Sequence, residues 1–151
     1  MLEALITVAL AIATLPSEDV LLDKIAEVGR SMNLTEITQD RSQKVFVWRQ
    51  TVKDIGPQEC AMFFAWSIRR LDDQSMALYD PVLSGTGCLE DLSPKDRSKA
   101  VKKFGSQAQD TQREFIKRFV KLVGPVKFAP APDDLTQLAI DQLRKAKNDQ
   151  K

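Results

Sequence analysis

The stretch from Pro94 to Val123 limits the fold more than any other part of the chain. Ser93-Pro94-Lys95-Asp96 supplies an N-cap, a proline at the first helical position and an acid at the third, and Gly124-Pro125 stops whatever precedes it. Between these signals the apolar residues recur at helical spacing. With Phe104 at zero and about 100° per residue, Val101, Phe104, Ala108, Phe115, Phe119 and Leu122 fall within about 60° of that zero. Lys95, Lys99, Lys102, Lys103, Arg113, Lys117 and Lys121 fall opposite, in an arc of about 100°. Arg97 and Arg118 lie off this ridge, and Val120 intrudes on it. The spacing predicts one two-sided helix about 45 Å long, with Gly105 as the expected bend.

The same periodicity extends the helical reading to the rest of the chain. Ser17 caps a helix carrying Val20, Leu21, Ile25, Val28 and Met32, weakened at Gly29. Asn33-Leu34-Thr35-Glu36 has the form of a capping box, and Ile37, Val45, Trp48, Val52 and Ile55 predict a helix over 35–54. Val45-Phe46-Val47-Trp48 is prone to extended structure, but a lone strand has no partner. Phe46, off the Trp48 stripe, is expected at the surface. Gly56-Pro57 separates this element from a central core helix through Cys60, Met62, Phe63, Phe64, Trp66, Ile68 and Leu71. Residues 84–92 read as a long loop, 128–132 as a stiff Pro/Ala connector, and 133–147 as a last helix with Leu135, Leu138, Ala139 and Leu143 on one side. The expected fold is therefore all-α: a single domain over 1–151, an irregular bundle of five or six helices.

The first fifteen residues are apolar on every side after Glu3. They are too few to span a bilayer and stop at Pro16. A signal peptide over 1–13 would end suitably at Ala11-Ile12-Ala13, but its n-region lacks a basic residue. A buried helix over 1–15 is the preferred reading, with a cytoplasmic location and no membrane partner.

Composition narrows the chemistry. The chain has no histidine, which removes the commonest general base and the Ser-His and Cys-His dyads. Cys60 and Cys88 are too few for an all-thiolate zinc site; they read as free buried thiols, with a single disulfide as the alternative. Gly85-Thr86-Gly87 lacks the Gly-Lys-Ser/Thr ending of a phosphate loop. Asp72-Asp73, Glu90-Asp91 and Asp133-Asp134 are explained by helix ends and caps. No catalytic, cofactor-binding or metal-binding residue is assigned.

Charge is the informative quantity. The net value of +1 hides ten Lys and Arg against three Asp and Glu over 93–127, and eight against fourteen over 1–92. Glu18, Asp19, Asp23 and Glu27 form an acidic counter-surface on the helix after Ser17, facing the ridge of the same chain or of another copy. These patterns predict a non-enzymatic interaction or assembly protein, an adaptor or homo-oligomeric structural component, that sets the basic face of 94–123 against an acidic protein surface. The competing reading is a nucleic-acid-binding protein contacting phosphates through the same seven cations without strong sequence preference.

Overall fold

The computed structural model of the chain describes residues 14–53, 60–85 and 88–149. In chain order these form α1 (Glu18–Ser31), β1 (Thr35–Asp40), β2 (Val45–Val52), β3 (Cys60–Arg70), β4 (Ser75–Tyr79), β5 (Val82–Ser84), α2 (Pro94–Val123), β6 (Lys127–Ala129) and α3 (Asp133–Asp149). The strands build one sheet in the order β1-β2-β3-β4-β6, with β5 paired to β3 beside β4. All neighbours are antiparallel except β4 and β6, which run parallel. The fold is thus α/β with a mixed sheet, and the all-α bundle expected from periodicity is wrong.

The reason lies in β2 and β3. Each strand has apolar residues on both faces, so neither shows the in–out alternation of a half-exposed strand. Phe46, Trp48 and Val52 of β2 and Cys60, Met62, Phe64, Trp66 and Ile68 of β3 join one core with α1 and α2. Val45 and Val47, with Phe63 and Ala65, join a second core with Ala139, Leu143 and Ala146 of α3. A continuous apolar run of this kind resembles a buried helix until its partner is known. β2 and β3 are that pair, in unbroken register from Val45↔Ser67 to Val52↔Cys60. The helix expected over 35–54 is therefore the β1–β2 hairpin, and the expected core helix is the central strand β3. Phe46 is fully buried beside Trp48 rather than exposed.

Turn chemistry supports the strands. Asn33 is in left-handed backbone (φ 57°) and closes α1 instead of capping a following helix. In the β1–β2 turn the Asp40 carboxylate accepts from Ser42 Oγ (2.6 Å) and the Gln43 N–H (3.1 Å), and Lys44 takes φ 61°. In the β3–β4 turn Asp72 accepts from the N–H groups of Gln74 and Ser75, both at 2.8 Å.

Three helices stand where the sequence places them. Ser17 Oγ accepts from the Val20 N–H, Ser93 Oγ accepts from the Asp96 N–H, and Gly124 (φ 87°) ends α2. α2 runs unbroken through Gly105. The connector expected over 128–132 starts within β6, where Phe128 is paired with Met76. The apolar helix expected over 1–15 falls almost wholly on residues 1–13, which lie outside the described residues, as do Gly56-Pro57 and Thr86-Gly87. No helix among the described residues is long and apolar enough to cross a membrane.

A candidate cationic interface on the long helix

α2 is held against the sheet in one rotational setting. Ala100, Phe104, Phe115 and Phe119 are buried against the core, and Phe115 stacks on Trp66 with ring centroids 3.7 Å apart. Three polar side chains fix the helix further. Gln107 Nε2 donates to the Thr51 carbonyl (3.2 Å), Thr111 Oγ1 to Gln50 Oε1 (2.9 Å), and Gln112 Nε2 to the Asp80 carbonyl (2.6 Å). Two members of the expected apolar edge are instead exposed: Val101 at 51% and Leu122 at 41%. They flank the packed region rather than join it.

With the helix locked this way, the opposite side faces solvent. Lys95, Lys99, Lys102, Arg113, Lys117 and Lys121 are exposed and Lys103 is half-buried. None of those six makes an ion pair with an acid among the described residues. The ridge divides into an N-terminal group, Lys95 to Lys103, and a C-terminal group, Arg113 to Lys121, about 15 Å apart along the axis. Asp110 is exposed between them. Glu114 is engaged by Arg118 Nε at 2.7 Å, which holds its carboxyl below the ordinary value.

Arg97 and Arg118, left off the ridge by helical geometry, are bound inward. Arg97 donates to the carbonyls of Leu89, Glu90 and Leu92, fixing the turn before α2. Arg118 donates to the Ser31 carbonyl (2.7 Å) at the end of α1. The contrast is physical: arginine's fork satisfies several acceptors at once, while the ridge is mostly lysine, a hydrated point charge on a flexible stem.

The acidic counter-surface is differently placed. Burial opposes ionisation of Glu18, yet the Lys44 ammonium and the Arg70 N–H (2.8 Å) outweigh it and hold the carboxyl below its usual value. Asp23 pairs with Arg41 at 2.6 Å, and Glu27 with Lys24 at 3.4 Å. Arg41 also donates to the Asp19 carbonyl. Glu18, Asp23 and Glu27 thus brace α1 against its own surface, the β1–β2 turn and the end of β3. Among the described residues no ion pair joins them to the ridge.

Sequence reasoning missed a shallow groove of about 400 Å³ between α1, β2 and α2, lined by Met32, Gln50, Gln107, Asp110, Thr111, Glu114 and Arg118. It depends on β2 lying beside α2, which the helical reading could not foresee. Its Gln50–Thr111 and Glu114–Arg118 groups bind one another and present no nucleophile–base pair. Among the described residues no three His, Cys, Asp or Glu side chains cluster as metal ligands. Compared with protein-family models, curated proteins and solved structures, the chain matches none.

Proposed function

We propose that this chain is a non-enzymatic binding protein that docks an acidic protein surface along the solvent face of α2. The observation that carries this reading is the set of six exposed ridge cations, on a rigidly seated helix, without an ion pair to an acid of the described chain. A helix that needed only solubility would gain more from mixed signs, because like charges three and four residues apart repel. The partner is a different protein rather than a second copy, because Glu18, Asp23 and Glu27 already have cationic neighbours.

An acidic protein is favoured over nucleic acid on two grounds. No aromatic side chain lies on the ridge to stack on bases. The near-balanced net charge of +1 gives little long-range attraction for a polyanion. The test is fluorescence anisotropy with an oligoglutamate-containing peptide, duplex DNA and single-stranded RNA as probes, at two salt concentrations. The peptide is expected to bind, to weaken with salt, and to be lost when Lys99, Lys102, Lys117 and Lys121 are replaced by Glu. Unchanged peptide binding in that variant, or tighter binding of either nucleic acid, overturns the proposal.

A further inference from the structure

The two cysteines of the chain are 28 positions apart in sequence, and the fold brings them together. Cys60 opens β3, opposite Val52. β5 returns antiparallel along β3, with Met62 opposite Ser84, and the Gly85 N–H then donates to the Ala61 carbonyl at 2.7 Å. A β-carbon placed on Gly85 would lie 3.4 Å from the Ala61 β-carbon and 3.6 Å from Cys88 Sγ, so Cys88 lies back over the start of β3. The Cys60 thiol lies beside Cys88. Both side chains belong to the core shared with α1 and α2, Cys60 at 3% exposure and Cys88 at 9%.

We propose that Cys60 and Cys88 are a dithiol couple that low-molecular-weight disulfides, such as oxidised glutathione, convert to an intramolecular disulfide. Cys88 is the entry point because it is nearer to solvent. Burial, and then Cys88 beside it, push the Cys60 thiol up to about 12, so Cys60 keeps its proton and is the slower nucleophile.

The exchange proceeds in two balanced steps. Cys88 releases its proton to solvent and its thiolate attacks one sulfur of the oxidant; the oxidant's S–S bond breaks and one thiolate leaves and is protonated. Cys60 then loses its proton and attacks the Cys88 sulfur; the Cys60–Cys88 bond forms, and the second small thiolate departs and is protonated. The protein has lost two hydrogens and the oxidant has gained them. The two thiols share one core and Cys88 Sγ packs at Gly85, where β5 returns along β3, so the sulfurs need only close to about 2.05 Å.

The bond would act on the segment that seats α2. Cys88 directly precedes the segment whose Leu89, Glu90 and Leu92 carbonyls are gripped by Arg97. Closing the disulfide clips the segment leading into α2 covalently to the first residue of β3.

Intact mass and alkylation test this directly. The folded wild-type chain, held with excess oxidised glutathione near pH 8, is expected to become about 2 Da lighter, carry no glutathione, and lose both alkylatable thiols. Cys60→Ser is expected to stop at a stable mixed disulfide on Cys88, and Cys88→Ser to react at least tenfold more slowly than wild type. Wild-type protein that accumulates a stable mixed disulfide, or retains both free thiols, overturns the proposal whatever the serine variants do.

Discussion

The six-membered ring of Trp48 occupies the space where a side chain at Gly29 would begin: a β-carbon built there would lie 2.6 Å from Cε2 and nearer still to Cζ2 and Cη2. Read as sequence, Gly29 is a weak point in a helix. In the fold it is the gap through which α1 lies against the indole at the centre of β2. Helix propensity alone favours Gly29→Ala by about 1 kcal/mol. Overpacking costs about 1–3 kcal/mol, and the neighbour is a fully buried ring. The clash wins, so Gly29→Ala is expected to lower the urea midpoint; a raised midpoint would show that the indole can shift at little cost.

Phe115 is the counterpart of this contact on α2. It lies stacked between Trp66, at 3.7 Å, and Phe119, at 5.9 Å. Phe115→Ala leaves a cavity against both rings and should destabilise the fold by about 3–5 kcal/mol. Because Trp66 loses its stacked neighbour, the tryptophan emission of the folded state should change as well. A loss below about 1 kcal/mol, by denaturant titration, would place α2 outside the core.

Acid should weaken the attachment of α1. Glu18 has a folded pKa below its unfolded value, so its contribution is present above the ordinary glutamate pKa near 4.5 and is lost as pH falls through the lower folded value. Glu18→Gln should therefore be less stable than wild type at neutral pH, with the gap narrowing in acid. A gap that widens in acid would contradict the ion pair with Lys44 and the Arg70 N–H bond.

Asp80 has the opposite sign. Burial raises its carboxyl above the ordinary value, against a weaker lowering by its own backbone. The folded state then holds the proton more tightly, and stability falls as pH rises from the unfolded pKa through the folded one. Asp80→Asn should remove that fall and be the more stable protein at neutral pH. Parallel stability curves for the two proteins would show that the carboxyl is solvated.

The starts of α1 and α2 and the end of α2 were legible because those caps are local. Ser17, Ser93-Pro94 and Gly124-Pro125 act within three or four residues of themselves, and no distant contact alters them. The strands were not. Val45 to Trp48 and Met62 to Ile68 are apolar on both faces because helices cover both sides of the sheet, which erases the alternation that marks a strand. The turns at Asp40 and Asp72 carried the missing signal, since an Asp that bonds the next N–H groups favours a reversal over a helix.

The candidate interface divides along the same line. One helix decides which lysines share a face, so the ridge could be read directly. Which charges are already satisfied depends on approach through space. Glu18 finds Lys44 and Asp23 finds Arg41 only after the β1–β2 hairpin has folded beside α1. The same holds for Cys60 and Cys88, which read as free buried thiols or a single disulfide, and whose nearness rests on β5 turning back along β3.

The central claim is that the outer face of α2 takes an acidic protein surface, and residue-resolved binding tests it most directly. Titrating isotope-labelled chain with the oligoglutamate peptide should shift the amide signals of Lys95, Lys99, Lys102, Arg113, Lys117 and Lys121 together. The shifts should fade with added salt and vanish in the four-fold Lys→Glu variant while the sheet signals stay in place. Shifts confined to α3 or to the sheet edges, or unaltered by the charge reversal, would contradict it.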